Sequence, residues 1–201
     1  VSNDTRSLSQ GNLYVALTGG NFDGHAFVDQ AFRKGACGAV VRGAWSAPES
    51  VKGKHLLRVA APAAALRDVA AGYRKKLGPR IVAVTGSAGK TTVKEMTAHM
   101  LSTTLSVAST KGNWNNDIGL PLSLLAMSPL TRVGVFEVGT NHPGELAPLC
   151  RLLEPAWGVV TNVGPVHIEF FGSLESIARE KAEVLRCLPP DGVAVLNQDD
   201  S

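Results

Sequence analysis

Residues 81–92, with the sequence IVAVTGSAGKTT, constrain the fold more than any other segment of the chain. β-Forming residues lead into a turn of small residues that ends in Gly-Lys-Thr, and a helical pattern follows. Such a loop directs backbone N–H groups and a helix N-terminus at an anion, while its lysine neutralises charge and its threonine hydroxyl contacts Mg²⁺. The segment therefore predicts a nucleotide phosphate site. Val84 stands where the usual pattern has glycine, so an ordinary strand–turn–helix with Lys90 at the surface is the alternative.

Composition and charge are those of a soluble globular protein. Of the 201 residues, 44% are hydrophobic and 18% are charged, and the net charge is only +3. The basic residues are dispersed, so we expect no nucleic-acid partner. No apolar run has the length of a membrane span, so we expect no membrane insertion. We also expect a monomer with a cytoplasmic location. Cys37, Cys150 and Cys187 lie in separate apolar segments and are expected to be buried thiols in a reducing compartment.

Strand and helix patterns alternate along the chain, which predicts an α/β fold. The first part carries three strand patterns and two helix patterns: strands over 12–17, 38–41 and 55–59, and helices that begin at Asp23 and at Pro62. Gly78 and Pro79 end the second helix and mark a domain boundary. We therefore expect a small α/β N-terminal domain over residues 1–79 and a second domain over 80–201.

Residues 80–201 have the alternation of a doubly wound, mostly parallel sheet. Five strands are predicted, over 81–85, 105–108, 133–138, 158–163 and 193–196. Four helices fill the intervals, over 90–101, 120–127, 145–152 and 173–188. Ligands bind such sheets at the carboxyl ends of the strands. Thr85, Glu137 and Thr161 stand at three of these ends, so we expect polar side chains to collect at one edge of the sheet.

Glu137 and His167 are candidates for metal chemistry. A carboxylate that closes a buried strand beside a phosphate loop is the usual geometry for a Mg²⁺ ligand. The alternative for Glu137 is a charge that reaches solvent or pairs with an arginine. His167 follows a Gly-Pro turn that directs it back over the strand ends, where it either contacts metal or phosphate or has a structural role.

Lys181 falls on the apolar face of the helix predicted over 173–188, between Ala178 and Leu185. One possibility is that its ammonium group extends outward to solvent. The other is that burial lowers its pKa, so that the neutral amine acts as a nucleophile or reacts with CO₂. The resulting carbamate carries a negative charge that suits Mg²⁺.

Four polar segments are ambiguous from their pattern alone: residues 4–7, 23–27, 112–121 and 141–145. The third is dense in amides, glycine and proline, and forms either a hydrogen-bonding loop or a capped turn before a helix. The second is either a ligand contact or a helix start with Asp23 as its cap. The others are either binding loops or plain turns.

Taken together, these segments resemble the Mur ligases, the ATP-dependent amide-forming enzymes of peptidoglycan precursor synthesis. Threonine and glycine open the phosphate loop in that family, so Val84 is no longer irregular. Four motifs favour the member that joins D-alanyl-D-alanine to UDP-MurNAc-tripeptide: DTRS followed by GNLYVAL (4–7 and 11–17), FDGHAF (22–27), GNWNNDIGLP (112–121) and FEVGTNHPGEL (136–146).

The resemblance implies a reaction with ATP and Mg²⁺. ATP phosphorylates the terminal carboxylate of UDP-MurNAc-tripeptide, and the amine of D-alanyl-D-alanine attacks the acyl phosphate. Phosphate then leaves from a tetrahedral intermediate. Lys90, the loop amides and two Mg²⁺ ions neutralise the charge that accumulates where two anions meet.

The resemblance also implies roles for individual residues. Lys90, His167 and Lys181 are expected to be catalytic. Thr91 and Glu137 belong to a first metal site, and His167 and carbamoylated Lys181 to a second. The expected ATP contacts are Thr85, Gly86, Ser87, Ala88, Gly89, Lys90, Thr91, Thr92, Asn115 and Asn116, the two asparagines lying also near the muramoyl substrate. The expected substrate contacts are Thr5, Arg6, Asp23, Gly24, His25, Asn141 and His142.

The chain departs from the family pattern at its C-terminal side. Mur ligases carry a further domain that brings residues to ATP and to the incoming amine, and no segment here corresponds to it. The second domain also ends early, so we expect a fragment that is inactive alone. The alternatives are another Mur-type or folylpolyglutamate-type ligase, and a P-loop switch module that hydrolyses nucleotide to control a partner, although no switch signature is visible.

Overall fold

The structure is a computed structural model that describes residues 1–20 and 22–200. It divides into two compact units, Val1–Val69 and Ala70–Ser201. The division falls inside a helix, upstream of the boundary predicted at Pro79. It falls there because the second half of that helix packs on the second unit, where the Tyr73 hydroxyl donates a hydrogen bond to the Met127 carbonyl across 2.9 Å.

The first unit contains a three-stranded parallel sheet and a short hairpin. Its elements are β1 (Leu13–Val15), β2 (Thr18–Gly19), β3 (Phe22–Asp23), α1 (Val28–Arg33), β4 (Gly38–Arg42), β5 (Leu56–Val59) and the start of α2 (Pro62–Leu77), with 3₁₀ turns over Gly24–Phe27 and Glu49–Val51. The sheet order is β1-β4-β5, and β2 pairs with β3 antiparallel. The hairpin and the 3₁₀ turns were not predicted.

Alternating residues of the first sheet form the core of this unit. Tyr14 on β1 and Ala39 and Val41 on β4 are buried, and they pack against Val28 and Ala31 of α1. Phe27 lies in the 3₁₀ turn before α1 and is exposed. The change of helix type rotates it away from the buried stripe.

The second unit is an α/β unit with a five-stranded parallel sheet. Its elements are β6 (Arg80–Thr85), α3 (Lys90–Ser102), β7 (Val107–Ser109), α4 (Gly119–Leu125), β8 (Val133–Glu137), α5 (Leu146–Leu153), β9 (Trp157–Val160), α6 (Ile168–Phe171), α7 (Leu174–Lys181), α8 (Glu183–Arg186) and β10 (Val193–Leu196). The strand order is β10-β9-β6-β8-β7, and every pair is parallel. The predicted mixed α/β fold with mostly parallel strands is confirmed.

The central strand β6 is buried on both faces of the sheet. Ile81 and Ala83 belong to one apolar cluster, which includes residues of α4 and α5. Val82 and Val84 belong to a second cluster, which includes residues of α3. This strict alternation explains why the strand is almost entirely apolar, as expected for a parallel strand covered by helices on both sides.

Several predicted bounds differ from the structure. The helix predicted over 173–188 is two helices, α7 and α8, which meet at Ala182. The strand predicted over 158–163 ends at Val160, because the backbone of the next residues turns toward the loop after β6. The short helix α6 was not predicted. Of the three cysteines expected to be buried, Cys150 is buried, Cys187 is half-buried and Cys37 is exposed.

None of the helices in the part of the chain that the structure describes combines the length and apolar character that a membrane crossing requires.

Candidate functional site

The loop between β6 and α3 has a backbone that requires glycine at two positions. Gly86 has φ 151° and Gly89 has φ 77°, both in the region that side chains other than glycine rarely adopt. A Cβ atom on Gly86 would lie 1.9 Å from the Thr161 hydroxyl oxygen. The close approach of the segment after β9 therefore fixes the shape of this loop, in addition to the loop's own sequence.

The segment after β9 holds this loop through side chains. The Thr161 hydroxyl donates to the Ala88 carbonyl across 2.6 Å, and the Asn162 side-chain oxygen accepts the Ala88 N–H at 2.8 Å. The Ser87 hydroxyl donates to the Gly164 carbonyl at 2.9 Å and accepts the Gly164 N–H at 2.8 Å. The position of Thr161 at a strand end was predicted, but these hydrogen bonds were not, since only the pairing of β9 with β6 brings the two segments together. We call this set of hydrogen bonds from Thr161, Asn162 and Gly164 to the loop the clasp.

Lys90 begins α3 and folds its side chain back over the loop. Its ammonium group donates to the carbonyls of Gly86 and Ser87 at 2.9 and 3.3 Å. The cation therefore lies above the loop, where it would meet a bound anion. The Thr85 hydroxyl, at the start of the loop, is buried and has no hydrogen-bond partner among the described residues.

Glu137 ends β8 and is 3% exposed, and each of its carboxylate oxygens accepts one hydrogen bond. The Thr91 hydroxyl donates to Oε2 across 2.7 Å, and Asn115 Nδ2 donates to Oε1 across 2.8 Å. The main-chain N–H of Glu137 donates to the Thr110 hydroxyl at 2.9 Å. The alternative in which Glu137 reaches solvent or an arginine is therefore wrong.

Thr91 and Glu137 form a donor set that fits Mg²⁺. Both groups offer hard oxygen ligands, which this ion prefers. The two residues come together because Val84 on β6 pairs with Glu137 on β8, and α3 follows β6 directly. Among residues 1–20 and 22–200, no cluster of three or more His, Cys, Asp or Glu side chains is placed to hold a metal ion. A metal here would need ligands from its nucleotide or solvent in addition to these two residues.

The two candidate asparagines have different positions. Asn115 lies beside Glu137, and its main-chain carbonyl accepts the Gly139 N–H at 3.1 Å. The side-chain oxygen of Asn116 accepts the N–H groups of Ile118 and Gly119 at 3.2 and 2.8 Å, so it caps the start of α4. The structure therefore brings Asn115 to the carboxylate and gives Asn116 a capping role.

Lys181 ends α7 and is 6% exposed, so the alternative in which it extends outward to solvent is wrong. Burial and the positive charge of Lys90 lower its pKa to about 8, while the Glu180 carboxylate acts in the opposite direction. With this pKa the amine is neutral in about one molecule in ten at pH 7, a far larger share than for an ordinary lysine. Its reaction with CO₂ stays a prediction.

Glu180 and Glu145 shape the loop that contains Asn141 and His142. The buried Glu180 carboxylate accepts the Gly144 and Leu146 N–H groups at 2.8 Å each. Glu145 Oε2 accepts the N–H groups of Asn141 and His142 at 2.8 and 3.1 Å. Asn141 and His142 are exposed, so this fixed backbone presents their side chains at the surface.

His167 precedes α6 and has φ 58°, a left-handed conformation that is uncommon for residues other than glycine. It is half-buried. This backbone follows the Gly-Pro turn that the sequence indicates. Its contact with a metal or a phosphate stays a prediction.

The first unit contains a pocket of about 520 Å³. Thr5 and Arg6 line it, as does Tyr14. Phe22 and Phe27 also line it, with their rings stacked and their centroids 5.5 Å apart. Neither aromatic residue was predicted to line a pocket, although the two are the first and last residues of the FDGHAF motif.

Asp23, Gly24 and His25 do not line that pocket; they hold the turn beside it. The Arg42 N–H donates to His25 Nε2 at 2.9 Å, so the ring proton is assigned to Nδ1, which donates to Asp23 across 2.6 Å. Asp23 also caps the 3₁₀ turn by accepting the His25 N–H at 3.0 Å. A Cβ atom on Gly24 would lie 2.7 Å from the Leu17 carbonyl oxygen, so glycine is required there. Contact of these three residues with substrate stays a prediction.

Comparison with known families agrees with this geometry. Residues 84–201, more than half of the chain, match the family model of the Mur ligase middle domain. The chain belongs to the Mur ligase family. The match includes the β6–α3 loop, Glu137, His167 and Lys181.

Two curated relatives that match the whole chain carry the same name. It is 42% identical over 200 residues to the UDP-N-acetylmuramoyl-tripeptide–D-alanyl-D-alanine ligase of Bacillus subtilis, and 42% identical over 201 residues to the enzyme of that name from Escherichia coli. Each alignment covers 100% of this chain and 43% of the relative. The chain therefore spans less than half the length of these Mur ligases.

Solved structures of Mur ligases share the fold. MurF from Acinetobacter baumannii superimposes with a TM-score of 0.89 at 35% identity, covering 100% of this chain and 43% of that protein. MurF from Thermotoga maritima, solved in complex with ADP, gives a TM-score of 0.87 at 33% identity, covering 99% of this chain and 45% of that protein.

Proposed function

We propose that this chain is the part of an ATP-dependent ligase that binds ATP and the UDP-linked substrate. The complete enzyme would join D-alanyl-D-alanine to UDP-MurNAc-tripeptide in peptidoglycan precursor synthesis. The observation that carries the proposal is the placement of Lys90, Thr91 and Glu137 around one loop, with Thr91 and Glu137 in direct contact. The names of the relatives support the choice of substrates.

The residues around the loop suit transfer of a γ-phosphoryl group to a carboxylate. Both reactants are anions, so the site must neutralise charge before they can meet. The Lys90 ammonium and the N–H groups at the start of α3 supply positive potential from fixed positions. When bound, Mg²⁺ would neutralise phosphate charge at Thr91 and Glu137. A second ion at His167 and carbamoylated Lys181 is part of the same proposal.

The two domains predicted from the sequence have separate tasks in this proposal. Residues 80–201 bind ATP and form the acyl phosphate, with Asn115 and Asn116 near the nucleotide. Residues 1–79 hold the uridine end of the substrate, with Thr5 and Arg6 in the pocket and Asp23, Gly24 and His25 supporting it. Asn141 and His142 contact substrate from their exposed loop. The complete enzyme acts as a monomer in the cytoplasm.

Substrate trials with the complete protein test this proposal. We expect release of ADP and phosphate only when UDP-MurNAc-tripeptide and D-alanyl-D-alanine are both present. Loss of the Lys90 ammonium in Lys90→Ala should lower the rate at least about 10²-fold. A preference for a single amino acid would indicate another Mur-type ligase, and glutamate addition to a folate would indicate a folylpolyglutamate-type ligase. ATP hydrolysis that needs neither substrate would favour a switch module and contradict the proposal.

A further inference from the structure

Lys94 is a buried cation to which the proposed reaction assigns no task. It lies on the inward face of α3, its side chain is 0% exposed, and neighbouring helix residues pack into the apolar cluster that contains Val82 and Val84. Removing an ammonium group from water costs several kcal/mol, and an apolar residue of similar size is often at least as stable in such a position. The presence of lysine here therefore requires a reason other than stability of the core.

The ammonium group of Lys94 makes two contacts. It donates to Oε1 of Glu95 at 2.5 Å and to the main-chain carbonyl of Thr110 at 2.8 Å. The Glu95 side chain is 59% exposed, so it reaches Lys94 from the solvent side. Thr110 is 1% exposed and follows β7 directly. The contact with Thr110 therefore ties α3 to the carboxyl end of β7 inside the protein.

Thr110 passes this constraint to Glu137. Its carbonyl accepts from Lys94, while its hydroxyl accepts the Glu137 N–H at 2.9 Å. Thr91 lies three residues before Lys94, on the same side of α3, and donates to the Glu137 carboxylate itself. The helix α3 thus holds Glu137 twice, directly through Thr91 and indirectly through Lys94 and Thr110.

We infer that Lys94 is a positioning residue for Glu137. Its ammonium group fixes Thr110 against the end of β8, so that the Glu137 carboxylate faces Thr91 in one geometry. The role depends on the proposed function, because a fixed carboxylate matters only if Thr91 and Glu137 bind the metal of a metal–nucleotide complex. Groups that orient a metal ligand from outside typically change metal affinity by about 10–100-fold when they are removed.

Metal binding by the complete protein tests this role with a readout that is separate from catalysis. Free Mn²⁺ is measured by electron paramagnetic resonance in the presence of ATP without the other substrates. Lys94→Met removes the ammonium group and keeps the length of the side chain, whereas Thr110→Val removes the hydroxyl and keeps the carbonyl. Lys76→Met, at an exposed lysine of α2, is the matched control for loss of charge.

We expect Lys94→Met to weaken Mn²⁺ binding about 10-fold or more and Thr110→Val to weaken it in the same direction. ATP binding in the presence of EDTA should stay unchanged, as should Mn²⁺ binding by Lys76→Met. Because Lys94 acts through Thr110, the double variant should lose less than the product of the two single effects.

Normal Mn²⁺ binding by folded Lys94→Met would overturn the inference and make Lys94 a structural residue. If that variant does not fold, normal Mn²⁺ binding by Thr110→Val would overturn it equally. Losses that multiply in the double variant would show that the two residues act independently, which also contradicts it. If the unsubstituted protein binds no Mn²⁺ with ATP, the proposed function itself fails.

Discussion

The Thr91 hydroxyl donates a hydrogen bond to Oε2 of Glu137 across 2.7 Å, joining the first turn of α3 to the end of β8. This bond links the helix that follows the β6–α3 loop to a carboxylate 46 residues further along the chain. The hydroxyl proton is used by Glu137, and the oxygen keeps lone pairs for a cation. The loop, the Thr91 hydroxyl and the Glu137 carboxylate are therefore held in one arrangement.

Thr91→Val removes the hydroxyl and keeps the shape of the side chain. We expect at least about 10-fold weaker binding of magnesium–ATP, because one ligand and the hydrogen bond that orients Glu137 are both lost. Thr91→Ser keeps the hydroxyl and should stay near the parent value. Isothermal titration calorimetry with ATP at a fixed Mg²⁺ concentration measures the affinity of both variants. Equal affinity of the valine and serine variants would remove Thr91 from the metal site.

Gly86→Ala places a Cβ atom 1.9 Å from the Thr161 hydroxyl oxygen, at a position where φ is 151°. We expect the free energy of unfolding to fall by about 1–3 kcal/mol, because the alanine backbone is strained at this φ. We also expect weaker ATP binding, because Thr161 must move and release the Ala88 carbonyl. Thr161→Ala in the same chain should restore part of the affinity. Gly72→Ala on α2, where an added Cβ meets no atom within 4 Å, is the matched control and should be neutral or stabilising. Unaltered ATP binding by Gly86→Ala would show that the contact with Thr161 does not determine the conformation of the β6–α3 loop.

Lys181 should titrate with a midpoint near 8, where burial and Lys90 place its pKa. The ¹³Cε shift of labelled lysine, assigned with Lys181→Arg, measures this directly. Between pH 8 and 10.5 the unfolded chain holds the Lys181 proton that the folded chain has released. Stability relative to Lys181→Met should therefore rise with pH over this window. A titration midpoint near 10.5, the ordinary value for lysine, would contradict the burial of the Lys181 ammonium group.

Carbamoylation of Lys181 makes a separate prediction. With ¹³C-bicarbonate, the folded protein should show a carbamate carbon signal that is absent in Lys181→Arg. Lys181→Ala should lose activity in the complete enzyme and recover part of it when short carboxylic acids are added, because they replace the negative charge. Full activity of Lys181→Ala without any added acid would contradict a role as a metal ligand.

Phe27→Ala opens the pocket of the first unit and removes the ring that stacks on Phe22. Stacking of a base on an aromatic side chain is worth about 1–3 kcal/mol, so we expect UDP affinity to fall roughly 5- to 150-fold. Leu57→Ala, at an exposed residue outside the pocket lining, is the control. Unchanged UDP binding in Phe27→Ala would place the uridine elsewhere.

Local patterns were sufficient to predict the main elements of both units. Short runs of apolar β-forming residues identified β6 and β8, and the 3.6-residue period of the helix placed Lys181 on an apolar face. Whether that lysine is buried or extends to solvent stayed open until the structure showed it buried. The Gly-Lys-Thr turn likewise follows from neighbouring residues alone.

Contacts between distant segments were not predictable in the same way. The clasp of Thr161 and Asn162 on the β6–α3 loop requires β9 to pair with β6, and the sequence does not state that order. The contact of Lys94 with Thr110 has the same origin, since it depends on β7 lying at the sheet edge beside β8. Asn116 caps the start of α4, one of the two roles that its pattern left open, because a helix cap and a ligand contact use the same amide chemistry. Its contact with the nucleotide stays a prediction.

The most direct test of the account follows one oxygen atom through the reaction. The complete protein is supplied with ATP, Mg²⁺, D-alanyl-D-alanine and UDP-MurNAc-tripeptide whose terminal carboxylate is labelled with ¹⁸O. The isotopic mass of the released phosphate is then measured by mass spectrometry. If the carboxylate attacks the γ-phosphate held at Lys90, Thr91 and Glu137, each phosphate released with product carries one ¹⁸O atom. Unlabelled phosphate alongside the amide product would contradict an acyl-phosphate ligase.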